Sequence, residues 1–147
     1  MTEAYPFIIK FHVIFSTIFL LTALWVSVQS LIKFIINKEY TPFDDRLSRS
    51  YLILLYADLI MGLLLYFVLK RPESGMDIHE AQKYLNIRFW AVMHVSIMAF
   101  VTILSQIGRI LAKSTSISKK KFKYAFLYYG TSTALTVGSV GWYLFNK

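Results

Sequence analysis

Apolar residues fall into four long blocks separated by short polar connections, at about residues 7–36, 43–69, 86–111 and 122–145. A helix needs roughly 20 apolar residues to cross a hydrocarbon core of roughly 30 Å, so each block is long enough to span. The pattern predicts an all-α fold, an integral membrane four-helix bundle, with residues 1–147 forming one transmembrane domain. Pro6 suits the first turn of the first helix, where a missing N–H costs nothing. The second helix has a stronger start: Thr41 as side-chain cap, Pro42 at the first helical position, and Asp44 and Asp45 near the positive end of the dipole. Lys70, Arg71 and Pro72 are expected to stop it.

The longest polar connection follows. Pro72, Ser74 and Gly75 predict a loop, and MDIHEAQKYL predicts a short amphipathic helix on the surface, with Met76, His79 or Glu80, Lys83 and Tyr84 at helical spacing. The last block is rich in small residues, Gly130, Ser132, Ala134, Thr136, Gly138, Ser139 and Gly141, which permit close helix contact. Trp142 and Tyr143 would anchor its far end at an interface. The opening MTEAYPF carries no basic segment and no small-residue cleavage pattern, so it does not read as a removable signal peptide.

Composition agrees with a lipid environment: 56% of residues are hydrophobic and 16% charged, against about 25% charged in soluble domains. The absence of cysteine excludes disulfides, thiolate zinc sites, iron–sulfur clusters and covalent c-type haem attachment. A net charge of +8 would suggest nucleic acid in a soluble protein. Here much of the excess lies in connections beside apolar blocks, so the expected partners are the bilayer and its anionic head groups, with no nucleic acid. The connection after the third block holds Lys113, Lys119, Lys120, Lys121 and Lys123 and no acid, which places it in the cytoplasm and both termini outside.

Ionisable groups inside apolar blocks carry the candidate chemistry, because each is costly unless it faces a partner, a cofactor or water. His94 sits within RFWAVMHVSIMAFVTILSQIGR, between Arg88 and Arg109. It reads either as a neutral imidazole bonded to a neighbouring helix or as a haem or metal ligand. His12 shares a face with Phe15 or Ser16, Phe19 and Ala23, near the outer edge of its block, where a water-exposed histidine is the plainer reading. Asp58 lies in LLYADLIMGLLLYF with apolar neighbours on both sides, so it is expected to be protonated or paired, and Gly62 on the same face would admit a backbone or a flat ligand. His79 reads as a solvated surface residue. On a rise of about 1.5 Å per residue, His94 and Asp58 come to comparable depth and His12 about one and a half turns shallower.

Taken together, a histidine in span one, KEYTPFDDRL, a second span ending GLLLYF, RFWAVMH opening span three, IGR closing it, a loop with KKFK and a small-residue last span with a terminal Trp form a familiar order. It resembles the small four-span bacterial membrane proteins, common in Bacteroidetes, that are labelled cytochrome B. The resemblance covers most of the chain, and RFWAVMH and DDRL with GLLLYF are its specific parts. It implies an inner-membrane bundle that holds b-type haem for electron transfer. His12 and His94 match the first- and third-span histidines of the pattern and become candidate haem ligands. Asp58 stands where the pattern has a second-span histidine, and Met93–His94–Val95 replaces Glu-His-Pro. In that reading Asp58 orients an imidazole and Arg88 meets a propionate, with no other metal.

No phosphate loop, nucleophile elbow, HExxH or facing carboxylate pair occurs, so no hydrolytic or nucleotide chemistry is indicated. Two classes remain: a cytochrome b-like electron carrier, and a cofactor-free structural or accessory subunit of a larger inner-membrane complex. In the second, Asp58 and His94 would pair in the bundle core and other membrane subunits would cover the apolar faces.

Overall fold

A computed structural model of the chain describes residues 4–68 and 77–146. Helix α1 covers Ala4–Ile35, α2 Pro42–Val68, α3 Ile78–Ser114 and α4 Ser118–Phe145, and no strand occurs among the described residues. The expected stop at Lys70, Arg71 and Pro72, the loop at Pro72, Ser74 and Gly75, and Met76 lie outside the described residues. The separate surface helix expected before the third span is not separate. Its described part continues into the span as the first turns of α3, because no glycine or proline interrupts Ile78–Arg88 and most of these residues are good helix formers. Likewise α4 begins at Ser118 rather than near residue 122, and Lys121 Nζ reaches back to the Ala112 carbonyl at 2.8 Å.

Neighbouring helices run antiparallel. Ser16 meets Asp58 while Gln29 meets Asp44, and His94 meets Ser139 while Ala112 meets Lys121. Each of α1 and α3 packs against both α2 and α4, so α1 and α3 stand on a diagonal and run in the same direction. The core is built from one inward stripe per helix: Phe19, Ala23 and Val26; Tyr51, Leu52 and Leu55; Met98 and Val101; Ala125 and Tyr129. Phe19, Tyr51 and Tyr129 stack across the middle with ring centroids 5.6 Å and 4.6 Å apart.

Hydroxyl groups fill the rest of the interior. Tyr51 OH meets Ser105 Oγ at 2.8 Å, Ser105 donates to Ser132 at 2.9 Å, and Tyr129 OH meets Ser48 at 2.7 Å. Ser27, Thr102, Thr133 and Thr136 each also donate to a carbonyl one turn back on their own helix, so burial leaves these donors satisfied. Outside, large apolar side chains such as Phe7, Leu21, Trp25, Ile53, Phe67, Phe89 and Ile103 are more than half exposed. Polar inside and apolar outside is the arrangement a bilayer favours. Three helices, Pro6–Ile35, Pro42–Phe67 and Ile78–Ser114, are long and apolar enough to cross a membrane. The hydroxyls of α4 lower its hydropathy, and most of those in its middle are turned into the bundle: Ser132, Thr133, Thr136 and Ser139 are buried, Thr131 exposed.

Close contact between α3 and α4 falls at a glycine that the small-residue reading overlooked. A Cβ at Gly108 would stand 2.4 Å from Tyr128 Cβ, whereas one at Gly138 or Gly141 would meet nothing within 4 Å. The last two glycines therefore are not contact points, although Ser132, Thr136 and Ser139 are.

The lysine-rich end is tied by charges. Asp44 Oδ1 accepts from Lys33 at 2.5 Å and Gln29 at 2.6 Å, while its Oδ2 accepts from the Thr41 N–H and hydroxyl, each at 2.9 Å. Lys33 of α1 is thus held by α2. Arg109, nearly buried, pairs with Asp45 at 2.7 Å, and Arg49 does so at 3.2 Å from the next turn of α2. In the connection, burial together with the nearby Asp45 charge pushes the Tyr40 hydroxyl up to about 12.

Candidate functional site

His12, Asp58, His94 and Ser139 all extend the inward stripes toward the opposite end of the bundle. His12 precedes Ser16, Phe19 and Ala23 on α1; Asp58 follows Tyr51 and Leu55 on α2; His94 precedes Met98, Val101 and Ser105 on α3; Ser139 follows Ser132 and Thr136 on α4. The spacing of three and four that builds the core therefore also aims these polar groups inward.

Asp58 is buried, at 4% exposure. Its Oδ1 accepts from Ser16 Oγ at 2.6 Å and stands 3.1 Å from His12 Nδ1. The oxygen lies off the line of a ring N–H, so His12 Nδ1 is buried beside the carboxyl without a formed hydrogen bond. Gly62, one turn further along α2, lets the imidazole lie close: a Cβ there would be 3.4 Å from His12 Cε1. His12 is consequently not the water-exposed edge residue its position suggested, since its side chain is only 14% exposed.

His94 takes different partners. Its Nδ1 meets Ser139 Oγ at 2.7 Å, and its ring stacks on Trp90, one turn earlier, at 4.7 Å with 12° between planes. Trp90 in turn packs on Tyr143 at 4.3 Å, and its indole N–H is buried with no acceptor. The pairing of Asp58 with His94 expected in a cofactor-free core is replaced by Asp58 with Ser16 and His12.

The two halves are close. A constant antiparallel register through Arg88 over Tyr66 and Arg109 against Asp45 sets His94 opposite the stretch of α2 between Asp58 and Gly62, which also faces His12. The depth offset computed along isolated helices is thus largely removed by how the helices are staggered. Arg88 lies at the same end, its guanidinium 5.5 Å from the centroid of the Tyr66 ring. His79, near the start of α3, is exposed and apart from this cluster.

The arrangement gives two imidazoles on diagonal helices, each turning Nδ1 to a bundle partner. Nε2 is the nitrogen left over on each ring, the one through which a histidine binds a metal while Nδ1 is held from behind. The donor set, two histidines on diagonal helices, is of the kind that holds an iron porphyrin, while the close approach at Gly62 is taken by the His12 ring. Among the described residues, no group of three or more His, Asp or Glu side chains could hold a bare metal ion.

Sequence reasoning singled out His12, Asp58 and His94 but took Ser139 only as a small packing residue and gave no role to Trp90. The signal for Trp90 was available, one helical turn from His94; that for Ser139 was not, because it depends on the α3–α4 stagger. No family model, no curated protein and no solved structure matches the chain.

Proposed function

We propose that the chain is a four-span bacterial inner-membrane protein, with both termini periplasmic, that binds one haem b through His12 and His94 and serves as a small cytochrome b-like electron carrier. The observation that carries the reading is the pair of imidazoles on diagonal helices, with Nδ1 of His94 bonded to Ser139 and Nδ1 of His12 beside Asp58. Ser139 holds His94 Nδ1; in the tautomer a haem ligand needs, Nδ1–H donates to the Ser139 hydroxyl and Nε2 is left as the basic nitrogen. Asp58, held by Ser16, sets a carboxyl group 3.1 Å from His12 Nδ1, where a small turn of the ring would let Nδ1–H donate to it. Trp90 shields one face of His94, and Arg88 supplies the cation for a propionate. Haem bound there supplies one-electron transfer. The inward Ser/Thr face of α4 supports counting it as the fourth span, and the lysines around its start support a cytoplasmic position for that loop.

A second reading, a cofactor-free accessory subunit, is favoured by the Trp90 indole lying flat on His94, which makes a packed aromatic cluster in its own right. Visible spectra of the purified protein, oxidised and dithionite-reduced, separate the two. A Soret band that sharpens and shifts on reduction is expected. Protein expressed with adequate haem supply that shows no Soret band overturns the haem reading in favour of the subunit.

A further inference from the structure

Near the lysine-rich end, the outer surface of α1 carries a groove of about 350 Å³ whose apolar wall is formed by Trp25, Val28, Ile32 and Ile36. Gln29 and Lys33 also line it, but both direct their polar heads to Asp44, so they contribute aliphatic stems rather than charge. Phe43 of α2 lies beside the Trp25 ring, with centroids 6.3 Å apart.

Lys38 stands at the mouth for a reason visible in the backbone. Asn37 adopts a left-handed conformation, with φ of 53°, and the Lys38 N–H returns to the Lys33 carbonyl at 3.1 Å. This C-terminal cap folds the chain back over the last turn of α1 and brings Lys38 to the groove. The charge balance there is lopsided. Asp44 and Asp45 are taken by Lys33, Arg49 and Arg109, leaving exposed Glu39 as the neighbouring acid. Lys38, Arg46, Lys113, Lys119, Lys120 and Lys123 have no ion-pair partner among the described residues.

We propose that this groove is a binding site for an anionic phospholipid, with one acyl chain along Trp25, Val28, Ile32 and Ile36 and the phosphate at Lys38. The inference rests on the membrane reading and is independent of haem. An apolar groove at the interface takes an acyl chain from any phospholipid; the uncompensated cations select a net negative head group.

Trp25 is the natural reporter, because the chain has three tryptophans and the other two, Trp90 and Trp142, can be replaced by phenylalanine. In nanodiscs, phosphatidylglycerol with brominated acyl chains is expected to quench Trp25 at a mole fraction about fivefold lower than equally brominated phosphatidylcholine, and Lys38→Gln should erase most of that difference. Equal quenching by the two lipids, or a preference that survives Lys38→Gln, overturns the site. Should the double-phenylalanine background fail to fold, native mass spectrometry of the otherwise unaltered chain gives the same decision. Retained phosphatidylglycerol that is lost in Lys38→Gln supports the site, and equal retention in both overturns it.

Discussion

The two ends of the bundle bury ionisable groups in opposite ways. At the lysine-rich end, Asp44 accepts from three residues and Asp45 faces two arginines, so both carboxylates have fixed partners, although Arg109 Nη1 is buried beside Asp45 without a formed hydrogen bond. At the other end, Asp58 has one formed hydrogen bond, His12 Nδ1 has none, and the Trp90 indole N–H has no acceptor. A carboxylate that accepts from several residues ties helices together; a cluster whose ring nitrogens and indole N–H are unspent is where a ligand can be met. On the haem reading, the difference puts stability at one end and chemistry at the other.

Removing a carboxylate at each end breaks that comparison most directly. Asp44→Ala frees Lys33 and Gln29 and dismantles the α2 cap, and should lower stability by about 3 kcal/mol. Asp58→Ala frees a serine that can turn to a carbonyl of its own helix, and should cost about 1 kcal/mol. Unfolding in a mixed-detergent titration measures both; equal losses would abolish the distinction between the ends. A second pair probes packing on the same scale. Gly108→Ala drives a Cβ into the Tyr128 Cβ and should cost about 2 kcal/mol, whereas Gly138→Ala, in open space, should stay within about 0.5 kcal/mol of zero.

Smaller effects sharpen the picture of the middle and the loop. Tyr51→Phe removes the hydroxyl that meets Ser105 and should cost about 1 kcal/mol in the same titration. The Tyr40 hydroxyl, raised from 10.0 to about 12, contributes stability that is complete below pH 10.0 and is lost as pH rises toward 12. Melting curves at stepped alkaline pH should show a loss in that window that is smaller in Tyr40→Phe.

Fold and site were not equally legible in the sequence. The helices followed from block length, and the start of α2 from Thr41, Pro42 and Asp44, because such signals are local. His12, Asp58 and His94 stood out because ionisable groups are rare in apolar blocks. Which of them touch was hidden, since it depends on the stagger of helices joined by loops whose length does not fix it. Asp58 thus meets Ser16 and His12 rather than His94. The reach of α3 back to Ile78 was obscured by polar composition, which marks exposure as readily as it marks a loop. Gly108 was missed because its meaning lies in Tyr128 on another helix.

The claim that the histidine end is a haem site is tested most directly by titrating haem into apoprotein in nanodiscs and following the Soret band. Saturation at one haem per chain is predicted for the unaltered protein and for His79→Ala, with none for His94→Ala. A Soret change that does not saturate, or one that survives unchanged in His94→Ala while that variant keeps its helical circular dichroism, would contradict the assignment.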